Sequence, residues 1–99
     1  MMVCVELPSG LAVLARTERR VDVVVEGVVT VRSVLDALER RLPVLRGTIR
    51  EHGSLKRRPF LRFFVCGQDW SHRSVDEPLP PAVAAGREVF MVVGAIAGG

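Results

Sequence analysis

The chain has only two cysteines, Cys4 and Cys66, and only two histidines, His52 and His72. Neither histidine has Asp, Glu or Cys at metal-ligand spacing, and two distant cysteines fall short of the clustered pairs that zinc needs. No metal site is expected. The cysteines read as small buried thiols in a reducing compartment, with a disulfide left open by spacing alone. No run approaches the roughly 18 uncharged apolar residues of a membrane span, so no membrane partner is expected. The opening Met1-Met2-Val3-Cys4-Val5-Glu6 lacks a basic region followed by a long apolar segment, so no secretory leader is expected and the reading is cytoplasmic. Gly47, Gly53 and Gly67 are isolated, and no Gly-rich run precedes Lys-Ser or Lys-Thr to cradle a phosphate. Ser9, His52 and Asp69 carry no triad signature, so hydrolase chemistry has no support. Internal repeats and low-complexity tracts are missing too.

What is present is the composition of a globular domain. The chain has 99 residues, 48% of them hydrophobic and 25% charged. One domain is expected, since domains run from about 50 to 250 residues, and surface scaling lets such a chain bury about 65% of its unfolded surface. The net charge is +3, with Asp and Glu interspersed among the basic residues. A small excess of arginine of this kind does not point to a nucleic-acid partner.

Alternation predicts a strand over 2–7, ended by Pro8-Ser9-Gly10, and a second over 21–26, closed by Gly27. The two read as a long hairpin. The connecting 11–20 reads as a loop in which Leu11, Val13 and Leu14 tuck inward while Arg16, Arg19 and Arg20 stay in water. Thr30 suits a helix N-cap. Val31, Val34, Leu35, Leu38 and Leu42 then form one apolar stripe, with Arg32, Asp36, Glu39 and Arg40 pointing away from it. Pro43 stops the helix. A short turn over 45–49 and a polar loop over 50–59 follow. Lys56-Arg57-Arg58 of that loop, with Arg50 and Arg62, would suit an acidic partner surface or an RNA backbone, but reads first as a solvated basic face. A third strand covers 60–66, with Leu61, Phe63 and Val65 on one face and Arg62 and Phe64 on the other. Gly67-Gln68 reads as a turn and Asp69-Trp70 as a short return strand, Trp70 capping one end of the core. The prolines at 78, 80 and 81 exclude a central strand over 74–86, and 88–93 is the last strand. The order describes an α+β domain: a mixed sheet of about four to five strands with one amphipathic helix across one face.

The last residues, Gly94-Ala95-Ile96-Ala97-Gly98-Gly99, follow that strand directly. They read as a flexible arm over 94–99 on a domain spanning 1–93. Glycine has no Cβ and lets another backbone approach closely, so a narrow catalytic channel accepts such an arm and rejects a bulkier one. A terminal carboxylate, with a reference pKa of about 3.3 to 3.7, is ionised at neutral pH and can attack phosphorus.

The sequence resembles the ubiquitin-like β-grasp sulfur carriers of the MoaD/ThiS type. The resemblance rests on Glu-Leu-Pro-Ser-Gly (6–10), Val-Glu-Gly (25–27) and Thr-Val-Arg-Ser-Val-Leu-Asp-Ala-Leu (30–38). It continues through Phe-Val-Cys-Gly-Gln-Asp (64–69), Gly-Arg-Glu-Val (86–89) and Ala-Ile-Ala-Gly-Gly (95–99). It implies a protein substrate rather than an enzyme, with no cofactor of its own. A partner resembling the ubiquitin-activating enzyme, an adenylyltransferase, would use ATP and Mg²⁺ to adenylate Gly99. Sulfur from a persulfide donor (a rhodanese or a cysteine desulfurase) would then displace AMP and leave a thiocarboxylate. That thiocarboxylate would serve a downstream synthase in molybdopterin, thiamine, cysteine or a related biosynthesis, and for molybdopterin the carrier would be the synthase's small subunit. Gly94, Ala95, Ile96, Ala97 and Gly98 would be the arm that the activating enzyme grips. Gly94 stands where many members carry proline, which should loosen the arm. Ubiquitin-like folds carry a docking patch on the third strand, which assigns partner docking to Phe64; Arg62 beside it would meet an acidic partner surface. Two other readings stand beside this one: a ubiquitin-like modifier joined to lysines, and a non-covalent β-grasp module.

Overall fold

A computed structural model describes residues 1–94 of the chain. It contains β1 (Met2–Glu6), α1 (Ser9–Ala15), β2 (Arg20–Val24), α2 (Val31–Arg41), β3 (Leu61–Val65), β4 (Gln68–Asp69), α3 (Pro81–Ala84) and β5 (Phe90–Gly94), with a 3-10 turn over Pro43–Leu45. The strands form one mixed sheet in the order β2-β1-β5-β3-β4.

Side-chain alternation sets the two faces. Val3 and Val5 of β1 and Val21 and Val23 of β2 point inward and are buried, leaving Cys4, Glu6, Asp22 and Val24 on the outer face. β1 and β2 run antiparallel, with Val3 opposite Val23. β5 runs parallel to β1, with Val5 opposite Phe90, and antiparallel to β3, with Phe63 opposite Val92. The Phe63 and Phe90 rings meet at 5.5 Å between centroids.

α2 crosses the inner face as its stripe predicts. Val31, Val34, Leu35 and Leu38 are buried against the sheet, each contributing about 1.5–3 kcal/mol relative to exposure. The N-terminus of α2 is closed by a reciprocal pair of bonds. The Ser33 N–H donates to Thr30 Oγ1 at 3.0 Å, and the Thr30 N–H donates to Ser33 Oγ at 2.8 Å. At the other end Arg40 and Arg41 suit the negative pole of the helix dipole. Arg41 also reaches across to donate to the carbonyl of Asp22 on β2.

Several expectations are corrected. The segment 11–20 is not simply a loop, because its Leu- and Ala-rich start forms α1, whose first turn hydrogen-bonds back to the Pro8 carbonyl. Helical rather than extended spacing then turns Ala12 inward, partly buries Leu11, and leaves Val13 and Leu14 in solvent. α1 ends at Arg16, whose left-handed φ of 54° closes the last turn. Glu39 does not point to water: it is buried beside Arg50, whose Nε donates to Glu39 Oε2 at 2.9 Å and whose Nη2 donates to Asp36 Oδ1 at 2.9 Å. The β3–β4 turn falls one residue earlier than expected, at Cys66-Gly67. Both residues have positive φ, 50° and 76°, the pairing that a two-residue hairpin of right-handed twist requires. Cys66 is therefore exposed rather than a buried thiol, Cys4 is half-buried, and both are free. Trp70 is buried as expected, with the Arg73 guanidinium 4.0 Å above its ring.

Replacing Thr30 with alanine removes the acceptor for Ser33 and should cost about 1 kcal/mol, up to about 2. A urea melt should show a lower midpoint at unchanged slope.

Candidate functional site

The place to look is the end of β5, because the sequence beyond it carries the proposed arm. Gly94 belongs to the sheet: it is the last residue of β5 and lies opposite Leu61 of β3. Ala95, Ile96, Ala97, Gly98 and Gly99 lie outside the described residues.

Beside Gly94 a groove of about 370 Å³ opens between the start of α1 and the start of β3, walled by Pro8, Leu11, Phe60 and Leu61, with Thr48 and Arg58 at its side. Phe60, read as part of the third strand, precedes it and is 63% exposed. The Arg58 guanidinium is already engaged, donating from Nε and Nη2 to the Gly47 carbonyl at 3.0 and 2.8 Å. Gly47 is needed where it stands. Its φ is 81°, and a Cβ there would lie 2.2 Å from the His52 ring. Sequence reading missed this groove, because its walls come from separate segments. The one local signal was Phe60 following Pro59 just before an alternating run.

The outer face of the sheet supplies a second feature. Phe64 lies opposite Met91 and Arg62 opposite Val93, all four half-buried, as alternation along β3 predicts. Arg62 is not a free charge. Its Nη1 sits 2.9 Å from His72 Nε2 and 3.7 Å from Asp69 Oδ2. The Asp69 carboxyl is held below the usual carboxylate range, first by hydrogen bonding to the Ser71 side chain and backbone N–H, with Arg62 adding to it. On the far side Glu6 pairs with Arg20 at 3.1 Å. An apolar centre of Phe64, Met91 and Val93 is thus flanked by two ion-pair groups, an arrangement suited to contact with another protein.

The basic run differs from a solvated face. Arg57 donates to the carbonyl of Leu61 at 2.7 Å and to that of Ser71 at 3.3 Å, and Arg58 is engaged as described. Arg50 is buried between two carboxylates. Burial alone would lower its pKa, but the hydrogen bonds it donates to Glu39 and Asp36 hold it above the ordinary value. Only Lys56 of the run is exposed, so these arginines order the loop rather than present a phosphate-binding surface. His52 and His72 are exposed, and among the described residues no group of three or more His, Cys, Asp or Glu is placed to hold a metal ion. Burial, and then the Asp22 charge, push the Cys4 thiol up.

With this geometry in hand, solved structures give the comparison. Small archaeal modifier protein 1 of Haloferax volcanii is similar over 100% of both chains, at 23% identity and a TM-score of 0.75. A chain of the BexX/CysO complex of Amycolatopsis orientalis matches at 20% identity and a TM-score of 0.72, over 98% of this chain and 99% of that one. Small archaeal modifier protein 1 of Methanosarcina acetivorans matches at 21% identity and a TM-score of 0.69, over 100% of this chain and 99% of that one. No protein-family model matches the chain, and no curated protein matches it. The neighbours are ubiquitin-like β-grasp proteins of the MoaD/ThiS type. At these identities the likeness is one of fold: the chain has the ubiquitin-like β-grasp fold that its sequence resemblance implied. No helix among the described residues is long and apolar enough to cross a membrane.

The two thiols should separate chemically. Iodoacetamide at neutral pH should alkylate Cys66 first. Cys4, half-buried and with a raised pKa, should react more slowly and gain rate only as pH climbs. Peptide mapping of a time course reads both rates.

Proposed function

We propose that the protein is a sulfur carrier: its Gly99 carboxylate is activated by a partner enzyme and becomes a thiocarboxylate. The observation that supports this best is the β-grasp fold with β5 at the sheet centre, immediately before Ala95-Ile96-Ala97-Gly98-Gly99. A carboxylate is a poor acceptor for sulfur until one of its oxygens is made a good leaving group. Attack of Gly99 on the α-phosphorus of ATP, bound with Mg²⁺ by the partner adenylyltransferase, expels pyrophosphate and installs AMP as that group. The terminal sulfur of a persulfide donor, a rhodanese or cysteine desulfurase, then attacks the acyl carbon and displaces AMP; a thiol cleaves the resulting acyl disulfide, leaving the thiocarboxylate on Gly99 and a disulfide on the donor cysteine. The product is a nucleophilic sulfur on Gly99 for a downstream synthase.

In this reading the protein supplies no catalytic group. Its part is to present the arm, Gly94 serving as the fixed base on β5 and Ala95 to Gly98 as the segment gripped. Docking falls to the outer face around Phe64, with Arg62 held in place by His72 and Asp69. That one neighbour is a chain of a two-protein complex, BexX/CysO, agrees with a protein that works through partners.

A second reading has a specific observation in its favour, since two of the neighbours bear the name of modifier proteins. A modifier would share the adenylation step and differ in the acceptor, a lysine amine in place of sulfur.

Incubation with the activating enzyme, ATP, Mg²⁺ and a sulfur donor should raise the intact mass by one sulfur-for-oxygen exchange. Deleting Gly98-Gly99 should abolish ATP–pyrophosphate exchange with an unchanged thermal melt. Continued exchange by the truncated protein rules the assignment out, and adducts on lysines in a cell extract would favour the modifier. Phe64→Ala should lower the activating enzyme's kcat/KM for this protein about tenfold, mainly through KM.

A further inference from the structure

Alternation determines which backbone groups of β2 are free. The Leu7 N–H donates to the Arg19 carbonyl, and Met1 and Val25 exchange both of their backbone bonds. Between those points the groups of Val21 and Val23 face β1, and those of Arg20, Asp22 and Val24 face the open side. There a groove of about 420 Å³ runs between β2 and α2, lined by Met2, Asp22, Val24, Ala37, Arg40 and Arg41.

The helix side of the groove is cationic. Arg40 and Arg41 are exposed, and the helix carboxylates Asp36 and Glu39 are already held by Arg50. Arg41 donates to the Asp22 carbonyl, while Arg40 has no ion pair among the described residues. The other side is apolar at Val24, which is 59% exposed with Met2 opposite it. A chain laid along β2 alternates in the same way, so every second side chain meets the two arginines and those between lie over the outer face.

The end of this chain does not reach the groove. Glu6 lies opposite Met91, which sets Met2 level with Arg87, seven residues or about 23 Å short of Gly94. The five residues after Gly94 span at most about 18 Å. A second copy pairing through its own β2 brings no carboxylate to the arginines, because its helix-side residues there are the buried Val21 and Val23.

We propose that this groove docks an extended segment of a partner protein in which acidic and apolar residues alternate. The segment adds to the sheet beside β2. Its backbone pairs with Asp22 and Val24, its carboxylates meet Arg40 and Arg41, and its apolar side chains cover Val24. An incoming N–H takes over the Asp22 carbonyl, and Arg41 turns to a carboxylate. A bond to a neutral acceptor is exchanged for a charge-assisted one. The groove is separate from the outer face around Phe64, and its occupant is independent of what happens at Gly99, so the proposal does not rest on the sulfur-carrier reading.

The test is an NMR titration of the isotope-labelled full chain with the synthetic peptide acetyl-Ser-Glu-Val-Glu-Val-Glu-Ser-amide. Amide shifts are expected at Asp22 and Val24, approaching saturation near about 1 mM peptide, with nuclear Overhauser contacts between peptide valine methyls and Val24. Arg40→Gln and Arg41→Gln should each weaken binding about fivefold while the signals of Phe63 and Val92 stay in place. Two altered peptides should not bind. One carries lysine for each glutamate. The other carries proline for both valines, whose N–H groups are the ones that face β2. Silence at Asp22 and Val24 at about 1 mM peptide overturns the proposal. Equal binding by either altered peptide, or unchanged affinity in either variant, overturns it too. Shifts at Asp22 and Val24 that grow with the concentration of the protein alone assign the groove to a second copy and overturn it as well.

Discussion

The pairs β1–β2 and β3–β4 share no ladder until β5 enters between β1 and β3. Each pair could form from its own stretch of chain, but neither has an inner face wide enough to cover α2. β5 joins them with backbone bonds on both sides and brings Phe90 and Val92 into the centre of the core. Its partner β1 stands at the opposite end of the sequence, so the closure entropy of nearly the whole chain must be met before that pairing contributes. The core therefore closes as one unit. β5 is paired on both edges at Phe90 and Met91 and continues to Gly94 on the β3 side, opposite Leu61.

A different economy orders the long segment between α2 and β3. Apart from the turn over Pro43–Leu45 it has no regular element, yet three arginines tie it down. Arg50 crosses to α2 and meets Glu39 and Asp36, while Arg57 and Arg58 reach the backbone carbonyls of Leu61 and Gly47. Removing charges from water is costly, and an ion pair of this kind stabilises little against an apolar substitute. What it does is select one arrangement, since a slipped loop would leave Glu39 buried without its cation.

How much of this was legible depends on how local the cause is. α2 was readable because its stripe, its Thr30 cap and its Pro43 stop all lie within one short window. The placement of Arg62 and Phe64 on the outer face followed from strand alternation alone. α1 escaped because seven residues are too few to display a helical period, and Gly10 near its start reads as a breaker. Glu39 was misread because its burial is caused by Arg50, eleven residues away in the loop that follows the helix. The apolar groove was invisible for the same reason, its walls converging only after folding. Cys66 was misjudged by a shift of one residue in the turn, enough to move a thiol from the interior to the tip of a hairpin.

The sheet also has an open side. Met1 and Val25 exchange both of their hydrogen bonds, so by alternation Val23 and Val21 face β1, while Asp22 turns its carbonyl to the free edge of β2. Unpaired edges of this kind are templates on which further copies stack, the first step towards fibres. The Arg41 guanidinium already occupies the Asp22 acceptor, so an incoming strand would have to displace a cation tethered to the core helix. The helix that fills the interior thus also guards this edge of the sheet.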